Sequence, residues 1–125
     1  EISCSLVGSE MCIRDRNNIS TVTDKDTKGS KKAVLLYEKL GEKTIDGEKY
    51  SLMRVRLLTG RHHQIRVQFS HHGYPLYGDI KYNSDFRNRR DVSPALFAYH
   101  LSFKNPVGAD RITVEAEPES EIFRL

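Results

Sequence analysis

The side chains best suited to chemistry cluster in one short run, Arg61, His62, His63, Gln64 and Arg66. Arginine offers a planar fork of donors for carboxylate or phosphate, and imidazole can exchange a proton near neutral pH. The run follows Thr59-Gly60 and reads as the start of a helix. Backbone N–H groups there lack intrahelical partners and favour anions. Arg61 in a first turn opposes the helix dipole, which suits an anionic partner. Phosphate contact and structural capping of the turn both fit it. Arg66 would point about 140° away around the same helix, so the two arginines cannot serve one small site. A second basic run, Arg87, Arg89 and Arg90, reads either as a solvated loop or as phosphate contacts. His62, His63, His71 and His72 raise the question of a metal. Their spacing does not bring histidines from opposite ends onto one turn, and no cysteine or carboxylate completes a set, so no metal is expected.

Positioning these groups requires strands and one helix. Ala33 to Leu40 is short and rich in strand formers, with Gly41 as a stop. Asp46-Gly47 is a strong hairpin turn signal. Tyr50 to Leu58 is the return strand, with Met53, Val55 and Leu57 alternating with Arg54 and Arg56. From Arg61 to His72 the period becomes helical, with Thr59 as N-cap and Gly73 as stop. Ile65, Val67 and Phe69 are core by periodicity. Leu96 to Phe103 and Arg111 to Ala116 form a second hairpin around Asn105-Pro106-Val107-Gly108. The class is α+β, mostly antiparallel sheet with one main helix.

The chain has 125 residues and a net charge of +3, which permits a nucleic-acid partner without requiring one. No stretch approaches the ~20 apolar residues of a membrane span. Both cysteines, Cys4 and Cys12, lie near the N-terminus. The run SCSLVGSEMCIRDR resembles read-through translation of a sequencing adapter, so residues 1–16 are expected to be a non-native leader. Residues 17–32 read as a polar linker or arm, and residues 33–125 as the folded part. Without the leader the chain has no cysteine, which fits a cytoplasmic location.

TGRHHQIRVQ, then GYPLYGDIKY, then LFAYHLSFKNP resembles the C-terminal half of the catalytic domain of an RNA pseudouridine synthase of the RluA type. The similarity covers roughly Ser30 to Pro118. The ordered set of blocks is far more specific than any one of them. The resemblance implies isomerisation of uridine to pseudouridine in ribosomal or transfer RNA, with no metal or organic cofactor. It implies that Arg66 pairs with an essential aspartate that the family carries in an RLD-x-x-TSG motif. No aspartate of this chain stands in that context. The chain alone is therefore expected to be an inactive fragment. A catalytically silent RNA-binding module is the alternative.

The matching positions divide into two groups. Thr59, Gly60, His63, Gly78 and Asp79 are expected to build the motif. Arg61, Gln64, Lys81, Arg87, Arg89 and Arg90 are expected at RNA. Gln64 and Lys81 also have bland readings, as a structural amide and a surface lysine. Tyr82 could stack on a base or anchor a loop.

Overall fold

The dipeptide Asp46-Gly47 adopts positive φ at both positions, 51° and 84°, the geometry of a tight hairpin turn matched to strand twist. It joins β3 (Lys31–Ile45) to β4 (Glu48–Leu57). Ahead of them lie β1 (Val7–Arg16) and β2 (Ile19–Thr23). The four strands pair antiparallel in the order β2-β1-β3-β4. The computed structural model describes residues 7–16, 19–23, 25 and 27–125. The chain divides into two compact units, one running to Pro94 and including Leu125, the other Ala95–Arg124.

Helix α1 (Gln64–His71) covers one face of the sheet. Val67 meets Ile13 and Ala33 in a small buried core, with Met11, Val22 and Tyr82 packed around it. Phe69 meets Tyr37 edge to face at 5.4 Å. Gln68, buried at mid-helix, donates to Ser9 Oγ at 3.1 Å, and Ser9 Oγ also bonds His72 Nε2 at 3.1 Å. These contacts tie the helix to β1. Gly73 has φ 86°, and the N–H groups of Gly73 and Tyr74 return to Ser70 O and Phe69 O. Those paired returns form a Schellman stop, as a glycine just past a helix end predicts.

The α+β class with a mostly antiparallel sheet and one main helix holds. Several boundaries differ from expectation. β3 does not stop at Gly41. The ladder shifts register between Lys39 and Gly41, so Leu40 is the extra residue of a bulge and Gly41 pairs opposite Leu52. A Cβ at Gly41 would lie 2.5 Å from Leu125 Cδ1, which explains the missing side chain. The segment 17–32 is not simply a linker: it contains β2, because I-S-T-V-T is rich in β-branched residues. Val7–Arg16, within the expected leader, forms the strand between β2 and β3, with Ser9 and Ile13 buried. Cys12 is a free thiol, while Cys4 lies outside the described residues. The basic face of the return strand carries an ion pair: Arg54 Nε donates to buried Glu38 at 2.6 Å.

The second unit is a hairpin of β5 (His100–Lys104) and β6 (Arg111–Glu115), paired antiparallel. β5 starts four residues later than the alternation from Leu96 suggests. At its turn the Asn105 carboxamide oxygen accepts from Val107 N–H at 3.0 Å. No helix among the described residues is long and apolar enough to cross a membrane.

Candidate functional site

The turn before α1 is held by side chains rather than by helix geometry. Thr59 is not the helix cap that its place in the sequence suggests. Its hydroxyl accepts from Val34 N–H at 2.9 Å and donates to Gln64 Oε1 at 2.8 Å. Gln64 Oε1 also accepts from Arg61 N–H at 2.9 Å, and Gln64 Nε2 donates to Val34 O at 3.1 Å. Gln64 is therefore buried with both ends of its amide used. Of the two readings of Gln64, at RNA or as a structural amide, these contacts match the second: it braces the TGR turn against β3. A buried amide this well paired is expensive to expose.

That brace displaces the helix start from Arg61 to Gln64. Arg61 stands in the preceding turn, where Nε donates to Lys32 O at 2.8 Å. The expected opposition of Arg61 and Arg66 around one helix does not arise. Gly60 has no positive φ, and a Cβ there would meet nothing within 4 Å. The fold itself places no steric demand on this glycine.

His63 is the N-cap, with φ 52° and ψ 25° in the left-handed region, and makes no side-chain cap bond. Such a conformation costs a non-glycine residue roughly 1–2 kcal/mol. Local contacts offset it. Its ring stacks on His62 at 3.7 Å and meets Tyr82 edge-on. Its Nδ1 lies 2.8 Å from Tyr82 Oη, which also accepts from Ser20 N–H at 2.8 Å. Burial pushes the His63 pKa below its ordinary value, and the charges of Arg66, His62 and Lys81 push it further.

Arg66 projects from α1 onto the Gly78-Asp79 turn. Its Nε donates to Asp79 Oδ2 at 2.8 Å and its Nη2 to Asp79 Oδ1 at 2.7 Å. Asp79 is fully buried, and its Oδ1 also accepts from Lys81 N–H at 3.0 Å and Tyr82 N–H at 3.2 Å. Burial raises the Asp79 pKa, but the Arg66 fork and the two backbone donors outweigh it and hold the carboxyl below its usual range. The same hydrogen bonds raise Arg66 further. The guanidinium also lies over the Tyr82 ring, 5.2 Å from its centroid. Ser70 Oγ donates to Tyr82 O at 2.8 Å, closing the cluster onto α1.

Gly78 has φ 78°, and a Cβ there would lie 2.2 Å from Ser93 O. Only glycine lets the turn pass under that carbonyl while presenting Asp79 to Arg66. Among the residues expected to build the motif, Thr59, His63, Gly78 and Asp79 each make a specific structural contact, and Gly60 does not. The in-chain pairing of Arg66 with Asp79 lies outside what the sequence predicts, although the motif marks both residues. Tyr82 anchors the turn rather than standing free to stack. Lys81 is exposed beside the clamp, and its backbone is held by Asp79.

Arg87, Arg89 and Arg90 are separate from this cluster. They line an open hollow of about 370 Å³ with Ile80 and Asn88. The histidines also divide, His62 and His63 before the helix and His71 and His72 at its end.

The model of the RNA pseudouridylate synthase family matches residues 8–71. An uncharacterized RNA pseudouridine synthase of Aquifex aeolicus is 36% identical over 86 residues, covering 62% of this chain and 27% of that protein. The ribosomal large subunit pseudouridine synthase D of Pseudomonas aeruginosa is 65% identical over 34 residues, covering 27% of this chain and 11% of that protein. The chain thus spans under a third of the length of these relatives. Among solved structures, human RNA pseudouridylate synthase domain containing 1 superposes with a TM-score of 0.72 at 24% identity, covering 91% of this chain and 49% of that one, a likeness of fold. With more than half its length inside the family model, the chain belongs to the RNA pseudouridylate synthase family.

Proposed function

We propose that this chain is the C-terminal part of a catalytic domain that isomerises uridine to pseudouridine in ribosomal or transfer RNA. It binds RNA but does not turn it over alone. The observation that carries this reading is the clamp built by Arg66, Asp79 and Tyr82. Asp79 occupies Nε and Nη2 of the guanidinium, and Nη1 has no hydrogen-bond partner among the described residues. A guanidinium fixed on one edge is pre-set to orient a second carboxylate on the other. The family's RLD-x-x-TSG motif would supply that carboxylate, and the motif is absent from these 125 residues.

In the reaction the N1–C1′ bond breaks, the uracil turns, and C5 bonds to C1′. The C5 proton leaves to solvent and N1 gains one. Arg66 orients and holds the aspartate ionised, while Arg61, Lys81 and the arginine loop face phosphates. Gln64 takes no part at the RNA, because its amide is used within the fold.

A silent RNA-binding module is the second reading. Its support is that Arg66 already has a carboxylate partner in Asp79. Tritium release from RNA labelled at uridine C5 tests the main reading. The chain alone should bind such RNA with an affinity that falls steeply with salt, and should release nothing. Absent or salt-insensitive binding would overturn the RNA reading, and release would overturn the inactivity.

A further inference from the structure

We propose that the hollow lined by Ile80, Arg87, Asn88, Arg89 and Arg90 seats one nucleotide of single-stranded RNA. Its base lies over Ile80, and its flanking phosphates lie against Arg87 and Arg90. This rests on the RNA reading above and assigns that partner a particular place.

The loop is built to hold these groups still. Phe86 is buried and meets Tyr77 at 4.8 Å, and Tyr77 meets Tyr50 of β4 at 5.2 Å. Asn83 secures the loop start, donating from Nδ2 to Leu76 O at 2.9 Å and accepting from Asp85 N–H at 3.1 Å. Asn88, at φ 71°, reverses the chain so that the arginines on both sides of it line one hollow.

The three arginines are not equivalent. Arg89 forks onto Asp91 at 3.1 and 2.7 Å and lies 5.3 Å over the Phe86 ring, so its charge is answered and its plane is fixed. Arg87 and Arg90 are exposed and have no ion-pair partner among the described residues. Two unanswered cations beside one hollow favour an anion between or across them. Among the described residues, Ile80, 43% exposed, is the one apolar side chain that lines the hollow. An exposed isoleucine beside two unpaired cations offers contact to a base as well as to its phosphates, which a bare phosphate would not use. The volume of about 370 Å³ is at the small end of ligand-sized sites, enough for one nucleotide. Ile80 follows Asp79 directly in sequence. The hollow therefore lies next to the Arg66–Asp79 clamp, and its nucleotide is one beside the target uridine in the strand.

The test is fluorescence anisotropy of labelled hexauridylate with the full 125-residue chain, across about 50–200 mM salt. Arg87→Ala with Arg90→Ala should flatten the log–log salt slope by about 1.4, from roughly 0.7 per lost single-strand phosphate contact. Circular dichroism should be unchanged, since both side chains are exposed. Ile80→Ala should weaken hexauridylate roughly five-fold and leave an abasic hexamer unaffected. An unchanged slope in the double variant would overturn the hollow and leave the RNA reading standing. No binding by the wild-type chain would overturn both. Competition by uridine monophosphate or by polyglutamate as strong as by hexauridylate would also overturn it, pointing to a free nucleotide or an acidic peptide.

Discussion

Replacing Asp79 by Asn should remove most of what holds the site together. Asp79 is fully buried and accepts from Arg66 Nε and Nη2 and from the N–H groups of Lys81 and Tyr82. The amide is the same shape, but it carries no charge and turns one acceptor into a donor. Either Arg66 or the two backbone N–H groups then face a donor. Breaking a buried pair from one side typically costs about 3–5 kcal/mol. The Arg66 side chain keeps 16% exposure, so water partly relieves it and the lower end applies, about 3 kcal/mol. With a urea m value of roughly 1.5 kcal/mol/M for a small domain, the midpoint should fall by about 2 M. Adding Arg66→Met to Asp79→Asn should recover part of the loss, because the stranded charge is gone. A drop below about 0.5 M for the single variant, or strictly additive losses in the double, would mean that the clamp does not hold the turn.

Other outcomes follow from neighbouring geometry. Gly78→Ala should cost roughly 3 kcal/mol, from positive φ plus the clash with Ser93 O, while Gly60→Ala should stay within about 0.5 kcal/mol; paired urea titrations check both. The His63 pKa is depressed on folding, so its contribution is full above about pH 6.5 and is lost as pH falls through the folded value. His63→Asn, which tolerates the left-handed backbone, should flatten stability against pH in that upper window. Asp79 has the same sign at lower pH: its contribution is present above about pH 4 and lost below it, so Asp79→Asn should flatten only the acid limb.

The class, the Asp46-Gly47 hairpin and the Gly73 stop are legible in the sequence because each follows from local chemistry. What stays hidden depends on partners far along the chain. Thr59 looks like an N-cap until Val34, 25 residues upstream, claims its hydroxyl. Gln64 looks surface-bound at a helix start until its amide folds back onto Arg61 N–H and Val34 O. The left-handed His63 breaks the helical period, and only its bond to Tyr82 explains why a histidine sits there. Periodicity does not place β1, because its segment lacks a clean alternation and gains its position from β2 and β3. Of the candidate site, the motif marks both Arg66 and Asp79, but nothing in their spacing of thirteen residues announces that they meet.

The decisive measurement is tritium release from uridine-labelled ribosomal and transfer RNA by the purified 125-residue chain, with RNA binding followed in the same tubes. Binding should be salt-sensitive and release absent, since Arg66 is in place and the aspartate it would orient is not in the chain. Steady release above background would contradict the assignment, as would a chain that leaves the RNA unbound.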